Sequence, residues 1–117
     1  MELVLIRGLP GSGKTTLAKT FVGYDHYEAD HFFEDGDGKL LSKAHAQCLL
    51  KTSESMRHRR NVVVANTFTQ WWEMTSYLSF ASKNNYSIRI IVAKGKYENI
   101  HNVPPEAIRR MIDRWED

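Results

Sequence analysis

A three-layer α/β/α domain with a parallel sheet of four to five strands is the fold this sequence predicts, on three observations. Short apolar, β-branched runs alternate with stretches of helical periodicity, in the order βαβαβαβα. Such alternation makes consecutive strands parallel and returns the chain through helices on both faces of the sheet. A glycine-rich turn, residues 8–13, stands between the first strand and the first helix. The length of 117 residues fits one domain, residues 1–117, with one core and no room for a second.

"ELVLIR", Glu2–Arg7, is nearly continuous in apolar residues, as a strand buried on both faces should be. It is far shorter than the roughly 18 residues of a membrane span, and it reads as a strand, not a signal peptide. "KTTLAKTFV", Lys14–Val22, carries the first helix. "HYEA", His26–Ala29, is a weaker strand that ends at Asp30, and "HFFEDGDGKLL", His31–Leu41, reads as a loop from its Gly and Asp content. The Asp/Gly run superficially resembles a calcium loop, but its glycine comes too early and the remaining ligands are absent. Ser42 is placed to cap a second helix running to about His58, with Ala44, Cys48, Leu49 and Met56 facing inward.

"NVVVAN", Asn61–Asn66, is the clearest strand, β-branched and bounded by polar residues. Thr69 is expected to cap a third helix running to Lys83, which Asn84 and Asn85 terminate. "YSIRIIVA", Tyr86–Ala93, is the last strand. Pro104 and Pro105 start a final helix with Ala107, Ile108, Met111 and Trp115 at helical spacing.

Composition excludes some functions. The formal charge, 16 − 14 = +2, is too small to imply nucleic-acid binding by itself. No apolar run reaches membrane-span length, so no membrane association is expected. Cys48 is the only cysteine, which excludes an intramolecular disulfide and a thiolate zinc cluster. The cytosol, bacterial or of a phage-infected host, is the expected compartment. Nothing in the sequence fixes an oligomeric state.

In a parallel sheet, ligands gather outside the carboxyl ends of the strands. That rim should hold Arg7 and the glycine loop after the first strand, and Asp30 and His31 after the second. Asn66 and Thr67 should follow the third, and Lys94 and Lys96 the fourth. Gly8, four residues, Gly13, Lys14 and Thr15 match G-x-x-x-x-G-K-[ST] in full. Glycines let successive backbone N–H groups turn inward around phosphate, and the helix after them adds its dipole. Gly8, Leu9, Pro10, Gly11, Ser12, Gly13, Lys14, Thr15 and Thr16 are therefore the expected phosphate cradle. Lys14 should reach the β/γ phosphates and Thr15 should hold Mg²⁺, making ATP and Mg²⁺ the expected cofactors and the P-loop nucleoside triphosphate hydrolase fold the expected class.

An Asn-Lys-x-Asp guanine-reading segment is missing, since the nearest text, "SKNN", lacks the acid. The chain is also short for a GTPase or a remodelling ATPase, and a small phosphotransferase fits its size. A kinase needs a group that orients the accepting hydroxyl near the γ-phosphate. Asp30 has the position for that role, the alternative being an Asp that caps a turn. His31 has a weaker case, with no second ligand near it at metal-binding spacing. Many P-loop ATPases carry an Asp after the third strand to help hold Mg²⁺, where this chain has Ala65. Metal binding is then expected to rest on Thr15, phosphate, water and Asp30, with Asn66 a neutral ligand or substrate contact.

With the cradle, "ADHFF", "NTFTQWWEMTSY" and "HNVPPEAIRRMIDRWE" in view, the chain resembles polynucleotide kinase-type P-loop ATPases over nearly its whole length. The resemblance implies transfer of the ATP γ-phosphate to a 5′-hydroxyl of single-stranded DNA or RNA. It makes Lys14 and Asp30 the catalytic pair, Asp30 matching the first acid of a family Asp-Asp pair as general base, with His31 in place of the second. Asn66 and Thr67 match a strand-end element near the acceptor, and Phe68 stands where many relatives have Asn. Family members also carry a longer helical lid with an Arg-Asn pair and phosphate-clamping arginines. Here "AKGKYENIHNVPP" is shortened, and Glu98-Asn99 occupies that position. Lys94 or Lys96 can supply charge there but not the bidentate geometry of Arg. A nucleoside or small-molecule kinase, and a catalytically weak nucleotide-binding regulator, are the alternatives.

Two further features read mainly as structural. "MRHRRN", residues 56–61, lies at the opposite edge from the cradle, where positive charge favours a helix C-terminus. Trp71 and Trp72 near a helix start read as packing more than as base-stacking groups, whereas Phe32 and Phe33 follow Asp30 on the rim.

Overall fold

The computed structural model describes residues 1–32, 41–96 and 103–117. Its elements are β1 (Glu2–Arg7), α1 (Lys14–Ala18), β2 (Asp25–Tyr27), α2 (Leu41–Arg57), β3 (Val62–Asn66), α3 (Thr75–Lys83), β4 (Ser87–Val92) and α4 (Pro105–Arg114). Among the described residues the sheet has four strands, all parallel, in the order β2-β3-β1-β4.

The two central strands are the two most apolar runs, and the register explains why. β1 pairs with β3 from Leu3↔Val62 to Arg7↔Asn66, and residues 62–66 are all buried. Alternate side chains then feed separate cores. Leu3, Leu5, Val62 and Val64 pack with Cys48 and Met56 of α2 and with Tyr77 and Ala81 of α3. Val4, Ile6, Val63 and Ala65 pack on the other face with Ala18 of α1, flanked by Leu17, Phe21 and Tyr24. Each such aliphatic side chain contributes about 1.5–3 kcal/mol by leaving water. This is the expected three-layer arrangement. Chain direction reverses between β1, whose helix leads out past β3 to β2, and β3, whose helix leads past β1 to β4. A ligand crevice is expected at that switch point.

Several boundaries differ from expectation for local reasons. α1 stops at Ala18, not Val22: the Thr20 hydroxyl and N–H both turn back to the Leu17 carbonyl, and Gly23 takes φ 85 to bend the chain toward β2. Val22 is 90% exposed, so no burial repays extending the helix. Ser42 lies inside α2, not at its cap. Thr69 does not cap α3, because its hydroxyl donates to Glu73 at 2.7 Å. A 3-10 turn, Trp71–Met74, precedes α3, and Gln70 opens it with its backbone N–H on the same Glu73 carboxylate at 2.8 Å. Asn84 ends α3 as expected, followed by Asn85 at φ 59.

Pro105 starts α4. Its apolar stripe is only partly buried, and the helix is held instead through contacts near its C-terminal end. The Glu116 N–H donates to the Thr69 carbonyl at 2.8 Å, and Arg114 Nε donates to Thr69 Oγ1 at 3.0 Å. Trp115 lies over the guanidinium of Arg7, 4.3 Å from carbon to ring centroid, with Trp71 over it at 5.2 Å.

Two arginines of the basic run make structural contacts. Arg60 pairs with Asp25 at 2.7 Å, and Arg59 donates to the Asn84 carbonyl while its guanidinium covers the Tyr86 ring. Among the described residues no helix is long and apolar enough to cross a membrane.

One edge interaction makes stability depend on pH. The Tyr24 hydroxyl donates to Glu2 at 2.7 Å and Arg89 approaches it at 2.9 Å, holding the Glu2 carboxyl below its ordinary value against the opposing effect of partial burial. A carboxyl whose folded pKa is depressed contributes stability above its unfolded pKa and loses it as pH falls through the folded one. Glu2→Gln should cost about 0.5–1 kcal/mol at pH 7. That difference should shrink as pH falls below about 4.3. Urea unfolding of both proteins across pH 2–7 measures it, and a pH-independent gap would refute the assignment.

Candidate nucleotide-binding site

The glycine loop begins where β1 ends, and three strands fix its shape. The Gly8 N–H donates to the Thr67 carbonyl after β3 at 3.2 Å. After β4, the Ala93 N–H donates to the Arg7 carbonyl at 2.8 Å and the Gly95 N–H to the Ser12 carbonyl at 3.0 Å. A Cβ on Gly8 would lie 2.4 Å from Ser12 Oγ and 2.9 Å from the Ala93 carbonyl oxygen, so no side chain fits. Gly11 at φ 81 and Gly13 at φ 89 supply left-handed turns that a side chain disfavours, and Gly13 opens α1.

The loop meets a test for phosphate. Ser12 Oγ is buried and has no hydrogen-bond partner among the described residues, a polar atom that a phosphate oxygen can satisfy. Lys14 Nζ folds back onto the Leu9 carbonyl at 3.0 Å, a contact that phosphate oxygens can replace. Burial pushes the Lys14 ammonium below its ordinary pKa, opposed by the carboxylates of Glu28 and Asp30.

Thr15 also fits a metal-holding role. Its hydroxyl donates its proton to Glu28 Oε1 at 2.9 Å, which leaves the oxygen lone pairs available to a cation. Glu28 is buried, and burial pushes its carboxyl up. Hydrogen bonds from His26 (2.6 Å) and Thr15, with the charge of nearby imidazoles, outweigh that and hold it below the ordinary range. The acid missing after β3 thus has a counterpart after β2. Sequence reasoning passed over Glu28, although alternation along "HYE" places His26 and Glu28 on one face of a strand leading to the rim.

The remaining expected residues divide. Asp30 and His31 lie in a 3-10 turn, Ala29–Phe32, after β2, and both are exposed. Lys94 and Lys96 are exposed on either side of Gly95, which is bonded to the loop. Leu9 and Pro10 lie in the loop and Thr16 in α1. Asn66 is different: its side chain is buried, with Oδ1 accepting from the Ala29 N–H at 2.8 Å and Nδ2 facing Cys48 Sγ at 3.7 Å. It ties the ends of β2 and β3 together and presents no amide to an acceptor. Thr67 contributes its carbonyl to Gly8, and Phe68, at φ 43, packs into the core against Tyr77.

Phe32 packs against the core, while Phe33, the Asp/Gly run 34–40 and the Glu98-Asn99 pair lie outside the described residues. Trp71 packs over Arg7 as expected, but Trp72 does not pack and is 70% exposed. The spacing rule near His31 also fails. His26, Glu28 and His31 bring one donor atom each within 4.8 Å of one another, because the 3-10 turn folds position 31 back beside position 26.

A strand, glycine loop and helix closed around an unsatisfied buried hydroxyl, on a parallel sheet of order β2-β3-β1-β4, define a P-loop nucleotide-binding domain with a kinase-like α/β fold. The AAA domain family model matches residues 3–102, and the chain belongs to that family. It is 31% identical to human NEDD4-binding protein 2 over 99% of this chain and 8% of that protein. It is 30% identical to a protein of Acanthamoeba polyphaga mimivirus, provisionally named a bifunctional polynucleotide phosphatase/kinase, over 78% of this chain and 20% of that one. The chain thus spans a fifth or less of the length of these relatives.

Among solved structures, the Pnkp1/Rnl/Hen1 RNA repair complex contains a chain similar at TM-score 0.72 and 18% identity, covering 97% of this chain and 43% of that one. A gluconokinase from Sinorhizobium meliloti 1021 is similar at TM-score 0.66 and 16% identity, covering 99% and 75%. These likenesses are of fold.

Gly8→Ala should lower stability by about 1–3 kcal/mol through overpacking. It should also abolish binding of a non-hydrolysable ATP analogue. Thermal unfolding and calorimetric titration check the two effects, and unchanged affinity would show that the loop is not the nucleotide cradle.

Proposed function

We propose that this domain is an ATP-dependent kinase that transfers the γ-phosphoryl group to the 5′-hydroxyl of single-stranded DNA or RNA. The observation that carries it is the pairing of a phosphate cradle with two carboxylates near Lys14 that differ in environment: Glu28 buried and bonded to Thr15, Asp30 exposed on the rim. The similarity to a protein named for polynucleotide phosphatase/kinase activity, and to a chain of an RNA repair complex, supports the acceptor class.

In this reading Gly8–Thr16 bind the ATP phosphates, and Lys14 exchanges the Leu9 carbonyl for β/γ oxygens. Thr15, its hydroxyl oriented by Glu28, would hold Mg²⁺, which would supply charge neutralisation at the phosphates. Asp30 takes the proton of the acceptor hydroxyl as the acceptor oxygen bonds to the γ-phosphorus. The bond from that phosphorus to the β–γ bridging oxygen breaks, and ADP leaves with the electron pair. Lys94 and Lys96 offer positive charge beside the loop, and His31 and Thr67 flank the acceptor side. The buried Cys48 thiol, pushed up by burial, suits a reducing cytosol. Likeness to a gluconokinase over nearly the whole chain keeps a small hydroxyl acceptor as the second reading.

Labelled ATP incubated with 5′-hydroxyl DNA, RNA, nucleosides and sugar acids separates the readings. Transfer to the oligonucleotides is expected, whereas transfer only to small acceptors selects the second reading, and ATP binding without any transfer refutes both. Asp30→Asn should keep ATP affinity and lose roughly 10²–10⁴-fold in rate. Lys14→Ala should lose ATP binding. Glu28→Gln should weaken nucleotide binding more with Mg²⁺ present than without it, and equal weakening would remove Glu28 from the metal role.

A further inference from the structure

We propose that His26, Glu28 and His31 form a binding site for a divalent transition-metal ion of the zinc class, separate from the magnesium position of the nucleotide. The three donor atoms lie within 4.8 Å of one another, and His26 Nε2 is 2.6 Å from Glu28 Oε2. The two imidazole rings are 5.2 Å apart between centroids, in edge contact. Tetrahedral zinc with ligand bonds of about 2.0–2.2 Å needs donor atoms roughly 3.4 Å apart, which rotation of exposed His31 and a small opening of the His26–Glu28 contact supply.

The donor set decides the metal. Mg²⁺ and Ca²⁺ take oxygen ligands, whereas two imidazoles and one carboxylate suit zinc and its first-row neighbours. The backbone that presents the set is fixed. His26 and Glu28 sit two residues apart at the end of β2, and the His31 N–H donates to the Glu28 carbonyl at 3.0 Å in the turn that folds back. Glu28 carries the outer-shell partner that ligating carboxylates usually have: Thr15 donates to its other oxygen, Oε1, at 2.9 Å. Exposure runs from 5% for the Glu28 side chain to 20% for His26 to an exposed His31, so the ion has an entry path and a fourth position open to water. Glu28 therefore joins this site to the P-loop threonine through one carboxylate.

The test uses the full chain, stripped of metal by a chelator and without nucleotide, titrated calorimetrically with ZnCl₂ alone. One ion per chain is expected, held against excess Mg²⁺. His26→Ala and His31→Ala should each weaken binding by roughly tenfold to a hundredfold. Co²⁺ should give the visible absorption of a four-coordinate site, lost in His31→Ala. Because His31 is exposed, that variant keeps its fold, which circular dichroism verifies. Absence of stoichiometric Zn²⁺ binding, equal affinity in the His26→Ala/His31→Ala double variant, or displacement by Mg²⁺ would overturn the proposal. None of these readouts involves phosphoryl transfer, so they stand apart from the fate of the kinase reading.

Discussion

The closeness of Gly8 to its surroundings is the constraint on which the site depends. With a Cβ forbidden by Ser12 on one side and the Ala93 carbonyl on the other, the backbone at Gly8 sits where β1, β3 and β4 all reach it. The parallel register delivers those three strand ends to one level, Arg7 opposite both Asn66 and Val92. The loop is thus shaped by the sheet before any ligand arrives, and the buried Ser12 hydroxyl is left unsatisfied by that shaping. Preorganised donors of this kind cost no rearrangement when phosphate binds.

Arg7, one residue earlier, carries the opposite burden. Its guanidinium is almost fully buried, and taking an ion out of water costs several kcal/mol unless it is well partnered. Burial lowers its pKa and the carboxylates of Asp117, Glu116 and Glu73 oppose that. The compensation is geometric: Nε donates to the Phe68 carbonyl, Nη2 to the carbonyls of Thr69 and Glu116, and the rings of Trp71 and Trp115 both lie against the guanidinium. α4 has little core of its own, so its C-terminal residues are anchored largely by this charge and by Thr69. The C-terminal segment thereby braces the β3–α3 connection that carries Thr67 to the loop.

How much residues alone reveal depends on the range of the forces involved. β1 and β3 were legible because a strand buried on both faces must be apolar throughout, and the cradle because its glycines and Lys14-Thr15 are contiguous. The end of α1 and the start of α3 were not, since each turns on one side chain choosing between nearby acceptors: Thr20 on Leu17, Thr69 on Glu73. Asn66 was expected on the rim because it ends a strand there. Its amide is instead consumed by the Ala29 N–H, a partner 37 residues away that no local pattern reveals. Arg7 is hidden in the same way, its partners lying 61 to 109 residues distant.

Glu28 shows how a position left without an acid on one strand is reached by a carboxylate from its neighbour: its Oε1 accepts from the Thr15 hydroxyl at 2.9 Å. β2 and β3 run side by side from Asp25↔Val62 to Tyr27↔Val64, so a residue just past β2 arrives near the level where an acid after β3 would stand. Burial and hydrogen bonds then separate two carboxylates only two residues apart. Glu28 has one oxygen on Thr15 and the other on His26, so it stays ionised and has no oxygen left for an acceptor proton. Asp30 stands exposed in the turn that follows β2. The same short stretch of chain thus holds one carboxylate buried against the P-loop threonine and another at the surface, a difference that comes from the turn after β2 and not from the residue type.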